Sequence, residues 1–119
     1  LGVMFANVFF EHSLLELSTK NRDGLHIFVS EIVATFGLIF IIFATLKDGK
    51  TIVAISVATY ISAGYWFTSS TSFANPAVSL ARTFTDSFTG INYLNTPTYI
   101  LAEFIGLILA AYILRIIYK

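Results

Sequence analysis

Thr68-Ser69-Ser70-Thr71-Ser72-Phe73-Ala74-Asn75-Pro76-Ala77 follows an apolar run, Ile52 to Phe67, with no charge to mark an exit into water. Asn75-Pro76 reads as a helix N-cap followed by proline at the first helical position, where the missing N–H costs nothing. Ala77 to Phe84 continues as tolerable helix, and Thr85-Asp86 opens a polar exit. A helix over residues 75–86 has about eleven residues and spans roughly 16 Å, half of a bilayer. The economical reading is a re-entrant half-helix. Irregular backbone at membrane depth survives only where protein or channel water satisfies it, so this segment needs a solute path or a cavity beside it.

Composition agrees with lipid as the surrounding solvent. Of 119 residues, 56% are hydrophobic and 12% charged, and the mean hydropathy is +0.80. A soluble domain of this length could not bury so much apolar surface. Net charge is zero, which argues against a nucleic-acid or strongly acidic partner. Cysteine is absent, removing disulfides and thiolate metal sites. His12 and His26 are too few and too far apart to build a metal site. No Walker loop, dinucleotide-binding turn or Ser–His–Asp set appears, so neither an enzyme nor a cofactor is expected.

Three apolar blocks predict spans at 27–46, 52–70 and 97–118, with Thr68 to Ser72 extending the second. A span needs ~20 residues to cross ~30 Å of hydrocarbon. Residues 1–10 read as the end of a preceding span, so a fragment or split product is the expectation. Lys47-Asp48-Gly49-Lys50 is a tight polar turn, whereas Glu11 to His26 is a longer loop with charges of both signs. Lys47, Lys50, Arg115 and Lys119 fall on one side and Lys20 and Arg22 on the other. That balance puts the Lys47 turn and the C-terminus in the cytoplasm.

A half-helix of this kind presents unpaired N–H groups and ~+0.5 of an elementary charge to the membrane interior. Asn75 adds a side-chain amide donor at the same place. A water or alcohol oxygen can exchange bulk hydrogen bonds for these donors, while cations meet a barrier. The plainer alternative is that Asn-Pro-Ala starts a helix in an ordinary loop.

Ser30-Glu31-Ile32-Val33-Ala34-Thr35 opening one span, Asn75-Pro76-Ala77 on a re-entrant segment, and Ala102-Glu103-Phe104-Ile105-Gly106 opening another together resemble the major intrinsic protein family, the aquaporins and aquaglyceroporins. The resemblance covers essentially the whole chain. It implies one of two inverted repeats, each with three spans and one half-helix, the half-helices meeting head to head at mid-membrane. Valine after Asn75-Pro76-Ala77 is commoner in the first repeat, and the second usually has arginine there. Residues 1–26 nevertheless resemble the end of the third span and the following outer loop. Tyr65-Trp66-Phe67 through Ala77 also resembles the second half of a bacterial subgroup with that valine. The C-terminal half is the expectation.

The resemblance then assigns roles. Asn75, with Pro76 and Ala77, is the pore constriction, or else a cap facing no solute. Ala63, Ser72 and Val78 occupy filter positions, where water-selective members carry a histidine, a small residue and the arginine. A wide filter without fixed charge implies glycerol, urea or undissociated arsenous acid as solutes; Val78 packing against a span is the alternative. Arg82 shares a helix face with Asn75 and Val78. It either supplies the missing cation nearer the outer mouth, or reaches the interface or pairs with Asp86. Glu31 is implied to accept N–H bonds from the re-entrant loop, with proton relay as the alternative. Glu103 is read as structural and nearer an interface. Gly37, Gly64 and Gly106 allow close helix approach, and Tyr65, Trp66 and Tyr99 are interfacial aromatics or packing.

The expected fold class is therefore all-α integral membrane: an aquaporin-like half with an N-terminal helix stub, three transmembrane helices and one half-helix. The expected function is passive facilitated diffusion of water or small neutral solutes across a bacterial inner membrane. Such a half needs the N-terminal repeat or a second, inverted copy, and the family implies a homotetramer. A non-conducting remnant or a helical membrane interaction protein is the alternative, and a transporter fragment with a broken helix is a third.

Overall fold

Leu25 to Thr45 and Thr96 to Ile117 form the two helices, α2 and α5, around which the chain is arranged. The computed structural model describes residues 1–118, so the expectation placed on Lys119 lies outside the described residues. The described residues contain helices and no strand: α1 (Gly2–Phe9), α2, α3 (Lys50–Phe67), α4 (Pro76–Ala81) and α5. Short 3₁₀ turns continue α2 through Leu46–Asp48 and α4 through Arg82–Phe84. The molecule measures 49 × 32 × 22 Å. Leu25–Asp48 and Thr96–Ile117 are long and apolar enough to cross a membrane.

Helix α5 shows why these elements meet. Its buried residues are Thr96, Tyr99, Ala102, Glu103, Gly106, Ala110 and Leu114, a single face at three- and four-residue spacing. The opposite face, including Leu101, Phe104, Ile108 and Tyr112, is exposed. The buried face is small and partly polar, and the exposed face is large and apolar. That is the reverse of a soluble domain and suits a helix with protein on one side and lipid on the other. At Gly106 the helices come closest, where an added Cβ would lie 2.6 Å from the Ile32 carbonyl oxygen of α2 and 2.9 Å from Thr35 Cβ. Glycine is thus the condition for the α2–α5 contact.

Two element boundaries differ from expectation. Helix α3 ends at Phe67 and does not extend to residue 70. Thr68 is extended, and both its N–H and its hydroxyl donate to the Gly64 carbonyl, at 3.1 and 2.6 Å. Its hydroxyl serves the carbonyl end of the helix, and the chain departs there. Second, the half-helix expected over 75–86 is regular α-helix only from Pro76 to Ala81, followed by the 3₁₀ turn to Phe84. Loop groups on either side in sequence take its last carbonyls: Ser18 N–H donates to Thr83 O at 3.0 Å and Ile91 N–H to Arg82 O at 3.2 Å. Tyr99 is fully packed rather than interfacial, 2% exposed.

Candidate functional site

Between Thr68 and Asn75 the chain runs without regular structure, and three residues there, Thr71, Ser72 and Ala74, have φ of 64°, 54° and 51°. Each left-handed non-glycine residue costs roughly 1–2 kcal/mol, so the loop is held by its surroundings. The supports come from both flanking helices. Glu31 of α2 is fully buried and its Oε1 accepts the Ala74 N–H. Glu103 of α5 is 1% exposed, and its Oε1 accepts the Asn75 N–H at 3.1 Å and the Ser79 hydroxyl at 2.6 Å. Tyr99, also on α5, donates to the Ser70 carbonyl at 3.0 Å. A glutamate buried this deeply persists only where donors meet it, and the loop amides are those donors. The second oxygen of each glutamate has no protein donor among the described residues.

Asn75 caps α4: its Oδ1 accepts from Ala77 N–H at 2.9 Å, and Pro76 holds the first helical position. Its carbonyl accepts from Ser79 N–H at 3.0 Å. With the N–H on Glu103, the side-chain amide nitrogen is the polar group of Asn75 that no described residue engages. Asn75 and Ala77 are exposed, whereas Ser79, one turn on, is fully buried. The half-helix therefore has a back anchored to α5 and an open front carrying an amide donor.

The other residues singled out from sequence lie around this front in different ways. Ala63 is exposed on α3. Val78 is partly buried and packs against the cluster of Phe73, Ile91 and Tyr99. Ser72 departs from the expected role of its side chain: it is 3% exposed and sits against Gly64, where an added Cβ would lie 2.6 Å from its Oγ. Its backbone is left-handed and its side chain is turned toward α3. Arg82 is half-buried and does not pair with Asp86. Its Nη2 donates to the Tyr65 hydroxyl at 2.9 Å, and its guanidinium lies 5.1 Å from the Phe73 ring centroid. Asp86 instead accepts from Thr19 N–H at 2.7 Å and from the Thr19 and Ser18 hydroxyls. The Thr19 N–H bond, above all, holds the Asp86 carboxyl below its usual range.

Arg22 gives no sign of its role in sequence beyond a charge count. Its Nε donates to Gly90 O at 2.7 Å, Nη2 to Phe88 O at 2.7 Å and Nη1 to Thr71 Oγ1 at 3.4 Å. The guanidinium also lies 5.6 Å from the Phe73 centroid. Two arginines, from the loop of residues 11–26 and from the end of the half-helix, thus flank one aromatic ring. Glu103 is the second group whose contacts the sequence does not show, although it reads there as structural. The available signal was its resemblance to Glu31, a lone acid in an apolar span.

The chain is 43% identical over 114 residues to the aquaglyceroporin AqpS of Rhizobium meliloti (strain 1021). The match covers 96% of this chain and 49% of that protein, so the chain spans about half the length of this curated relative. No protein-family model matches the chain. No solved structure matches it.

Proposed function

Because the chain belongs to the major intrinsic protein family and has the all-helical fold of an aquaporin-like half, we propose that it forms the C-terminal repeat of a channel through which water and small uncharged solutes diffuse passively. The relationship points to a membrane-embedded channel rather than an enzyme. The observation that carries the proposal is the front of the half-helix. Asn75 is anchored through its N–H, carbonyl and Oδ1, which leaves an amide donor facing the open side. A solute oxygen that has lost bulk water meets a fixed donor there, and the helix end disfavours cations.

Solutes larger than water are the favoured cargo: glycerol, urea or undissociated metalloid acids. Ala63 is small and Val78 apolar, so neither narrows the path with charge or bulk. Arg82, held by Tyr65, stands one turn beyond Val78 and supplies the cation of the outer mouth. The second half of the pore wall comes from an N-terminal repeat or an inverted second copy, and the channel assembles as a homotetramer in a bacterial inner membrane. Lys47, Lys50 and Arg115 lie on the cytoplasmic side.

The test is light scattering on liposomes holding the full-length protein expressed from its gene. Glycerol or urea uptake well above the lipid background, independent of ion gradients, is the expected result. Water flux without glycerol, urea or metalloid uptake overturns the wide filter. No flux of any solute through correctly folded protein overturns the channel and favours a non-conducting membrane interaction protein.

A further inference from the structure

Glu31 and Glu103 hold two successive backbone amides, those of Ala74 and Asn75, from two different helices. The chain between those amides changes from a left-handed residue, Ala74 at φ 51°, to an extended one, Asn75 at φ −161°. One anchor alone would leave the segment free to pivot about the other. Glu103 does more than add a second point, because the same oxygen also takes the Ser79 hydroxyl, one turn into the half-helix. It therefore fixes both the place of Asn75 and the rotation of α4 about its own axis. Of its two oxygens only Oε1 is engaged, and Glu103 and Ser79 are both buried where they meet on the α5 side of the loop.

We propose that Glu103 is a positioning residue for the pore donor: by holding Asn75 N–H and Ser79 Oγ on one carboxylate oxygen, it sets where the Asn75 amide stands and so how the channel divides water from larger solutes. This rests on the channel reading above. Glu31 reaches the loop one residue earlier and cannot replace this function, since it touches neither Asn75 nor α4. Leaving the Asn75 N–H without an acceptor costs about ten-fold or more in an equilibrium, enough to let the donor leave its place for much of the time.

The experiment compares Glu103→Gln, which keeps a carbonyl acceptor at the same reach, with Glu103→Leu, which keeps bulk and removes the acceptor. In liposomes, with flux normalised to folded protein, Glu103→Gln is expected within about two-fold of the parent for both water and glycerol. Glu103→Leu is expected to change the glycerol-to-water permeability ratio by on the order of ten-fold. The Asn75 backbone amide resonance reports the contact directly. It should move upfield in Glu103→Leu and stay near the parent's in Glu103→Gln. Ser79→Ala removes one donor and leaves the carboxylate, so it serves if the leucine variant folds poorly; a ratio shift in the same direction, about three-fold, is expected. An unchanged ratio in both Glu103→Leu and Ser79→Ala, or an unchanged Asn75 resonance in Glu103→Leu, overturns the inference. A parent that conducts nothing while its Asn75 resonance still depends on Glu103 overturns the channel reading instead.

Discussion

Asn75 joins two jobs that substitutions should separate. Asn75→Ala removes the cap on Ala77 N–H and should destabilise the protein by about 1 kcal/mol, as cap losses do. Asn75→Asp keeps the capping oxygen but removes the amide donor. If the amide serves the solute, the aspartate variant should lose glycerol flux while its melting temperature stays within a few degrees of the parent's. Asp86 supports the opposite end of the segment, and its dependence on pH has a defined sign. Its carboxyl is held below the reference value of 3.8, chiefly by the Thr19 N–H. The contribution is fully present above that value and fades as pH falls through it toward the lower folded pKa. Hydrogen exchange at the Thr19 amide should therefore be protected at neutral pH and lose protection on acidification past this range. Asp86→Asn should show the weaker protection at every pH.

At the scale of elements, the α2–α5 contact governs the loop because each helix carries one of its supports. Gly106→Ala directs a methyl at the Ile32 carbonyl, which is backbone and cannot rotate aside. The helices must separate, at a cost of about 1–3 kcal/mol for an overpacked core position. Separation also draws Glu31 and Glu103 apart, so amide exchange at Ala74 and Asn75 should quicken more than exchange in α3. An unchanged exchange pattern would break the link between helix packing and loop support. The elements also divide by how readable they are. The cap chemistry of Asn75-Pro76 is local and is read from two residues, and the apolar lengths of α2 and α5 are read from composition. The depth of Glu103 is not local. It stands seven residues into α5, and only the loop beside it makes that level an interior one. The orientation of Ser72 was hidden for the same reason, since a left-handed backbone reverses the side that simple counting from Asn75 assigns. The three contacts of Arg22 join segments about 49 to 68 residues away, beyond any periodicity.

Across the whole molecule, the long-range polar contacts gather in the loops at one end and behind the re-entrant segment, while the exposed face of α5 is apolar. The outer loop, the end of the half-helix and residues 86–95 are tied through Arg22, Asp86, Asn7 and backbone pairs such as Asn92 N–H to Lys20 O at 2.8 Å. Arg22→Ala removes two of these ties, to Gly90 O and Phe88 O, together with the bond to Thr71. Limited proteolysis should then cut residues 86–95 faster, with the α2–α5 pair left intact. The two ends should also be distinguishable by sidedness. A single cysteine replacing Asp48 and another replacing Thr19 are expected to react with an impermeant thiol reagent from opposite faces of a sealed vesicle. Labelling of both from one face would contradict a spanning arrangement.

The placing of the two glutamates also bears on biosynthesis. Translation delivers Glu31 before the re-entrant loop and Glu103 after it. While the ribosome is still making α5, the loop has its supports from α2 and Arg22 but lacks those of Glu103 and Tyr99, so its three left-handed residues are only partly restrained. The contacts that hold Asn75 and Ser79 form only when the last helix arrives, and a nascent chain stalled at Asn95 should leave residues 71–79 open to exchange that the longer chain protects.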